Sequence, residues 1–508
     1  MALIRHGALV LAAALAAAGC ARREAPRPAG RRVLEGEVLA MRASADGRHL
    51  AVLRECRPLR DRTLPPGAAS CAVDVVDTAG GAPQRVADGV TTVGPGLAWS
   101  RTGRVLAVLA GQDLADGSGA LVVWDGGAPR RLATDVTFHA FDRAGQRLAW
   151  IAGGQLFVAA ADGSAPVAVA GADRVSTFEL GRDAPVQVLA RRSARAGGAL
   201  LAVRDGAATP IASDVQQYGF SADGARYAYT SGAAASLVVA AADLRARPAP
   251  IGRDVLAFVF APRGDALAFL ADAAPGRQGD LHVVAGGAAP ARWGARAGEP
   301  RWAADGRHLV WLQEYDPRSR TGQLAAGALG GRPEVLARNV SDFDVAPDGA
   351  AVAGLVHDTA AGYSVDLVLA APGRERPPQK VARGVFGFSF SPDGRWLYFR
   401  TSCVREAEAC DLLRVPASGL PEGARPERIG QGVKSFEFAP GRPDRLLLGW
   451  PRKDRVALDL ALWEGGKTTA IDASALPGTA QFLGGDAGRL AYVSNDPKRP
   501  GAYVADVR

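Results

Sequence analysis

Hydrophobic and polar positions follow a pattern that recurs along almost the whole chain. A short strand-like run, usually ending in an aromatic residue, leads into a polar turn that closes with glycine, and a second apolar run follows, as in Phe390–Gly394 and Trp396–Phe399. In such a turn proline presets the backbone, aspartate tolerates the third position, and glycine takes the left-handed conformation of a bulged hairpin. The pattern therefore predicts repeated β-hairpins.

The copies of this turn share a closing glycine and lie at Ala45–Gly47, Trp99–Gly103, Phe141–Gly145, Phe220–Gly224, Phe260–Gly264, Trp302–Gly306, Val345–Gly349 and Phe390–Gly394. Weaker copies lie near 178–181, 438–440 and 482–488. From Gly224 onward, successive glycines are 40, 42, 43 and 45 residues apart. This is about the length of one four-stranded propeller blade. A second signature ends the fourth strand, as in Leu132–Val136 and Ile211–Val215.

These repeats predict an all-β fold, a β-propeller array of about eleven four-stranded blades. Single propellers usually contain about four to eight blades. We therefore expect two adjoining rings, with a possible division near Val255.

The two ends of the repeat region predict how the array closes. The last copy stops after its third strand, which includes Ala502–Val507, while Arg32–Val38 resembles a fourth strand without a blade of its own. Pairing the two would complete the last blade and cover an exposed strand edge.

The Phe-Ser-Pro-Asp-Gly repeat, clearest in Phe390–Phe399, resembles the WD-like repeats of TolB-type propellers. The likeness covers residues 31–508 and concerns the propeller portion only, because nothing in the chain matches the additional N-terminal α/β domain of TolB. The resemblance implies a fold. It implies little about function, since such repeats also occur in the propellers of peptidases and lyases.

Residues 1–19 predict an export signal. Arg5 precedes the uncharged apolar run Gly7–Ala18, which is too short to cross a bilayer as a stable helix. Ala17-Ala18-Gly19-Cys20 resembles a lipobox, which implies cleavage of the signal and acylation of Cys20. We expect residues 20–30 to form a flexible tether, because they are rich in proline and arginine. The expected location is the bacterial cell envelope, lipid-anchored at the outer membrane and facing the periplasm. Ordinary cleavage, leaving a soluble periplasmic protein, stays open.

The formal charge of +8 does not indicate a nucleic-acid partner. Of the 60 basic residues only five are lysine, and the arginines are spread along the chain beside abundant alanine. A nucleic-acid groove would need basic residues clustered with aromatic ones. We therefore expect no nucleic-acid partner.

The four cysteines after Cys20 form two local pairs, Cys56 with Cys71 and Cys403 with Cys410. Each pair flanks a loop between two strand-like runs, and neither spacing matches the paired CxxC of zinc sites. In an oxidising compartment we expect two loop-clamping disulfides. The alternative is that the two cysteine pairs carry out a redox reaction.

The chain offers no catalytic motif. It contains no nucleophile elbow, P-loop, dinucleotide-binding glycine pattern or His-Glu-x-x-His. Beyond Cys20 the five histidines fall at different levels of their blades, at His49, His139, His282, His308 and His357. We therefore expect neither a metal site nor a cofactor, and no catalytic residues.

The loops between second and third strands differ most between copies, and recognition usually resides in such loops on a rigid scaffold. Long examples are Arg54–Ser70, Gly111–Gly119, Glu314–Gln323 and Thr401–Asp411. Tyr315, Asp316 and Arg318 combine an aromatic ring with both charges and are the best candidate contacts. The competing explanation is that the long loops are insertions that the fold tolerates and that have no function.

These observations favour a non-catalytic envelope lipoprotein whose propeller face binds a protein or a cell-wall component. One alternative is a propeller-borne lyase or hydrolase acting on polysaccharide at the channel mouth. The other is a purely structural scaffold in an envelope complex.

Overall fold

A computed structural model describes residues 29–60, 63–93, 96–181, 186–192, 198–245, 248–272, 278–298, 300–358, 364–374, 376–452 and 456–507. The expected signal 1–19, Cys20 and the tether up to residue 28 lie outside the described residues and stay predictions. The regular secondary structure of the described part is almost wholly β-strand, as the repeats predicted.

The strands pair antiparallel in chain order, in units of about four, which we number along the chain. The first strand, β1 (Arg31–Glu35), stands before unit one. Units one to three contain β2 (Ala40–Ala43), β3 (His49–Pro58), β4 (Ala69–Asp77), β5 (Gln84–Thr91), β6 (Leu97–Trp99), β7 (Leu106–Ala110), β8 (Gly119–Trp124), β9 (Arg130–Phe141), β10 (Arg147–Ala152), β11 (Gln155–Ala160) and β12 (Val167–Ala168).

Units four to six contain β13 (Val175–Leu180), β14 (Val188–Arg192), β15 (Gly198–Arg204), β16 (Ala207–Phe220), β17 (Arg226–Ser231), β18 (Ser236–Ala241), β19 (Ala257–Phe260), β20 (Leu267–Ala271), β21 (Asp280–Val284) and β22 (Ala291–Gly294). A single bridge between Leu237 and Gly252 takes the place of a fourth strand in unit five.

Units seven to nine contain β23 (Arg301–Trp302), β24 (His308–Asp316), β25 (Thr321–Ala328), β26 (Glu334–Val345), β27 (Val352–Asp358), β28 (Ser364–Ala370), β29 (Gln379–Arg383), β30 (Val385–Phe390), β31 (Trp396–Val404), the 3-10 turn Arg405–Ala407, β32 (Ala409–Pro416) and β33 (Glu427–Val433). Units ten and eleven contain β34 (Ser435–Ala439), β35 (Arg442–Pro451), β36 (Leu458–Glu464), β37 (Lys467–Ala475), β38 (Gln481–Leu483), β39 (Asp486–Ser494) and β40 (Gly501–Asp506).

The recurring turn forms for the physical reasons that the sequence indicated. The Ser391 hydroxyl donates to Asp393 Oδ1 (2.6 Å), and the Trp396 amide donates to Ser391 Oγ (3.0 Å). Gly394 has φ +72°, a conformation that side chains disfavour. The aspartate carboxylates are thus engaged by their own turns, as the turn chemistry predicted.

The second signature marks the passage from one unit to the next. In β9 the first half pairs with β8 of unit two and the second half with β10 of unit three. The residue before the valine that ends this signature has positive φ in β9, β16 and β26, at Asp135 (φ 54°), Asp214 (φ 52°) and Asn339 (φ 56°). Aspartate and asparagine tolerate this conformation better than most residues, which explains their place in the signature.

Hydrophobic cores lie between successive units. Leu121 of unit two packs in one cluster with Trp150 of unit three, and Tyr398 of unit nine packs in another with Leu446 of unit ten. The aromatic residues that end the first strand-like runs each pack in or against such a cluster, at Trp99, Phe141, Phe220, Phe260, Trp302, Phe390 and Phe438. The all-β propeller architecture is therefore confirmed.

Packing runs without a break through the position where the sequence suggested a division between rings. Val255 shares a core cluster with Ala228 of unit five and with Leu267 and Phe269 of unit six. A cluster of the same kind joins units eleven and one, where Val493 lies with Val52 and Leu34. The described cores thus link each unit to the next and the last to the first. The division into two rings near Val255 stays a prediction.

The expected closure of the array is confirmed. Strand β1 pairs antiparallel with β40, with Arg31 opposite Val504 and Glu35 opposite Gly501. The Ala43 amide of unit one also donates to Gln481 Oε1 of unit eleven (3.1 Å). Strand β1 is therefore the outer strand of unit eleven, and it covers the edge that β40 would otherwise expose.

Candidate functional site

Because neighbouring strands run in opposite directions, the connections of the units emerge at two ends. The turn face carries the glycine turns and the connections from third to fourth strands. The loop face carries the second-to-third-strand loops, such as 111–118, 317–320 and 405–408, and the connections between units, such as 36–39 and 253–256. The long variable loops therefore share one face, because they join equivalent strands of their units.

Exposed apolar side chains concentrate on the loop face. Of nine large hydrophobic side chains exposed within the described ranges, six lie there: Leu39, Leu114, Leu256, Phe386, Val404 and Val456. The remaining three, Val167, Val259 and Val335, lie in strands away from the loop-face ends. Single exposed apolar residues are ordinary, and these six come from units one, two, six, nine and ten.

Phe386 is the most exposed of these side chains, at 69%. It is the extra residue of a bulge in β30, because Val385 lies opposite Thr401 while Gly387 lies opposite Arg400. A bulge of this kind re-aims one side chain out of the sheet.

The same bulge position recurs in other units and is usually polar. It holds Ser176, Gln216 and Ser341 in units four, five and eight. The fold therefore does not require an aromatic ring at Phe386. The sequence does show a large apolar residue directly after the recurring valine. Only the structure shows that this side chain is exposed.

Both predicted disulfides are present and both clamp loops of the loop face. Cys56–Cys71 closes the loop between β3 and β4, and Cys403–Cys410 closes the loop between β31 and β32. By the chain-entropy model, closing loops of these lengths contributes roughly 2–3 kcal/mol each. Val404, next to Cys403, is the last residue of β31, the strand that pairs with the Phe386 strand β30.

The predicted contact residues lie at the hairpin that joins β24 to β25. Tyr315 is half-buried, with its amide donating to the Arg296 carbonyl (2.9 Å). Asp316 Oδ1 accepts the Arg318 amide (2.9 Å), and this bond, with one from the Ser319 hydroxyl, lowers the pKa of the Asp316 carboxyl. The turn thus brings Asp316 and Arg318 together, and only its tip is exposed. Its role as a binding loop stays a prediction.

The histidines occupy separate local settings. His282 Nε2 lies 3.0 Å from Asp272 Oδ2, His308 Nδ1 lies 2.6 Å from Asp305 Oδ2, and His357 Nε2 lies 2.7 Å from Ser341 Oγ. His49 lies against the rings of Trp99 and Trp124, and His139 is buried. Within the described ranges, no three His, Cys, Asp or Glu side chains gather as metal ligands would.

No helix among the described residues has the length and hydropathy needed to cross a membrane. The lipid anchor expected at Cys20 lies outside those residues.

Comparison with known proteins identified no matching family model and no matching curated protein. Among solved structures, the chain is similar to a crystal structure titled as the eukaryotic initiation factor, with 12% identity and a TM-score of 0.41, over 70% of this chain and 95% of that one. It is also similar to the β-propeller domain of the Trilobed protease from Pyrococcus furiosus, with 14% identity and a TM-score of 0.30, over 42% of this chain and 68% of that one. Neither likeness carries an inference about function. The propeller assignment rests on the strand order of this chain.

Proposed function

We propose that this protein is a non-catalytic lipoprotein of the bacterial cell envelope, and that its loop face binds a protein or a cell-wall component. The observation that carries the proposal is the gathering of exposed apolar side chains on that face, with Phe386 at its most prominent position. Burying such side chains on binding contributes roughly 1.5–3 kcal/mol each. We also propose that the repeats are of the TolB type, on the likeness of their Phe-Ser-Pro-Asp-Gly turns.

The direction of β1 supports the accessibility of the loop face. Glu35 lies opposite Gly501, where β40 leaves the loop face, so the chain enters β1 from the turn-face end. The Arg31 guanidinium donates to the carbonyls of Thr78 (2.9 Å) and Ala79, in the turn between β4 and β5. An anchored Cys20 would therefore attach at the end opposite the loops.

The anchor is tested by Cys20→Ser in the full-length chain. We expect the variant to leave the membrane fraction for the soluble periplasmic fraction, because several acyl chains are needed for stable attachment. Fractionation of labelled cells, with metabolic incorporation of a fatty acid, measures both effects. Unchanged membrane attachment in Cys20→Ser would contradict lipidation at this residue.

The binding face is tested by placing a photoreactive phenylalanine analogue at Phe386 in intact cells. We expect one discrete crosslinked product, and about tenfold less of it when Val404→Ser removes the other large exposed apolar side chain of unit nine. The matched control is the same analogue at Val167, an exposed strand residue away from the loop face. Equal products from positions 386 and 167 would show that the loop face has no special role.

A further inference from the structure

A second kind of site lies on the first strands of units four to six and on β14, the second strand of unit four. A cavity of about 430 Å³ opens there, lined by Thr177, Arg191, Gln216, Gln217, Tyr218 and Phe258. This volume is within the range of small-molecule sites, about 300–1,000 Å³. All six side chains are aromatic or able to form hydrogen bonds, and only one is charged.

The polar groups of the cavity are held in place by the strands. The hydroxyls of Thr177 and Tyr218 lie 2.8 Å apart and link units four and five. Gln217 Nε2 donates to the Leu256 carbonyl (2.7 Å), and its Oε1 is able to accept a hydrogen bond. Gln216 occupies the same bulge position as Phe386 and is exposed. Donors and acceptors are thus fixed before any ligand arrives.

Arg191 is the only charged residue among the six that line the cavity. Its buried Nε–H has no hydrogen-bond partner in the part of the chain that the structure describes. Burial raises the pKa of Tyr218, the hydrogen bond with Thr177 and the charge of Arg191 oppose that rise, and the charge of Glu179 adds to it. A guanidinium in this setting favours an anion, and a carboxylate matches its paired donors.

The two aromatic rings supply the apolar contact. Tyr218 packs against the core between units four and five, and Phe258 packs against the core between units five and six. Both rings are half-buried and present part of their surface to the cavity. The apolar C–H face of a pyranose ring packs on such surfaces, while its hydroxyls need amide and hydroxyl partners.

We propose that this cavity binds an acidic saccharide, with Arg191 holding the carboxylate, Gln216 and Gln217 the hydroxyls, and Tyr218 with Phe258 the ring face. This inference rests on the proposed function and names a cell-wall glycan as the ligand class. A peptide is disfavoured because the cavity offers no deep apolar pocket for side chains and no lining carboxylate for an amino group.

A neighbouring cavity on the same strands provides the control. It measures about 300 Å³ and is lined by residues that include Arg143, Glu179, Phe220 and Phe260. There Arg143 has the Glu179 carboxylate nearby. Burial raises the pKa of Glu179, and the positive charge of Arg143 opposes that rise. Its arginine is therefore not available to a ligand carboxylate in the way that Arg191 is.

The test is calorimetric titration of the full mature chain with a disaccharide containing muramic acid, and with chitobiose, which lacks the carboxylate. We expect the acidic disaccharide to bind at least about tenfold more tightly. Arg191→Gln should abolish that preference, and Tyr218→Leu should weaken both sugars. Arg143→Gln should change neither. Gln216→Ala, at an exposed position that the fold does not constrain, gives a second weakened variant if Arg191→Gln fails to fold.

The proposal would be overturned by equal affinity for the two sugars, by no heat with either sugar, or by an unaltered preference in Arg191→Gln. Tighter binding of peptides with a free carboxylate would also overturn it. Crosslinking at Phe386 reports the loop face independently. Crosslinking without sugar binding refutes the saccharide site alone, whereas the loss of both refutes the proposed function as well.

Discussion

Leu34→Asp is expected to unfold most of the protein under conditions in which the wild type is fully folded. Leu34 lies on β1 and is 5% exposed, in the cluster that joins units eleven and one. Removing a buried leucine side chain costs about 2–5 kcal/mol, and a buried unpaired carboxylate costs more. This is a large share of the usual 5–15 kcal/mol of total stability. Urea unfolding followed by circular dichroism measures the loss.

The control for this substitution is Leu39→Asp, five residues later in the same segment. Leu39 is 43% exposed, so the same change should cost less than about 1 kcal/mol. We also expect Leu34→Asp to associate on size-exclusion chromatography, because loss of β1 exposes the edge of β40. Equal stability of the two variants would mean that β1 does not close the array.

Acidification is expected to destabilise the protein through His139. This side chain is 3% exposed, and the Ala107 backbone is the polar group that acts on its ring. Burial lowers the pKa of His139 to about 4, with only partial opposition from the Ala107 backbone. The folded state therefore keeps this imidazole neutral while the unfolded chain takes up a proton below pH of about 6.5.

The sign follows from the lowered pKa of His139. Stability from this group is complete above pH of about 6.5 and is lost as pH falls towards 4. The full loss is about 3 kcal/mol, of which about 2 kcal/mol falls between pH 7.5 and 5.0. Asp472 acts in the opposite direction, because burial raises the pKa of its carboxyl and protonation relieves that cost.

His139→Leu isolates the effect from other titrating groups. We expect its urea-unfolding free energy to fall by about 2 kcal/mol less than that of the wild type between pH 7.5 and 5.0. Phe138→Leu, on the adjacent residue of β9, introduces no titration change and should keep the wild-type pH dependence. Parallel pH profiles for wild type and His139→Leu would contradict a neutral buried imidazole.

The local and periodic features of the chain could be predicted from its sequence. The turn at Ser391–Gly394 depends on a few neighbouring residues, so its chemistry is visible in any one copy. Both disulfides join neighbouring strands of a hairpin, and therefore lie close in sequence as well as in space. The pairing of β1 with β40 was predictable for another reason. Without a fourth strand, the last unit would expose the unpaired backbone N–H and C=O groups of β40.

The binding surfaces could not be predicted in the same way, because they depend on neighbouring units. The role predicted for Tyr315 assumed exposure, and the structure half-buries that ring against the backbone near Gly298. The prominence of Phe386 depends on which residue a bulge leaves unpaired. Thr177, Gln217 and Phe258 line one cavity although about forty residues separate each from the next in chain order.

The sequence by itself determined the repeated strands, their turns, the clamped loops and the strand that closes the array. These follow from backbone hydrogen bonding and chain geometry, which repeat with the residue pattern. Only the tertiary structure decided that packing continues through Val255, that apolar side chains gather on the loop face, and that Arg191 faces a cavity. The physical reason is that burial and charge environment are set by side chains from adjacent units, which no single repeat contains.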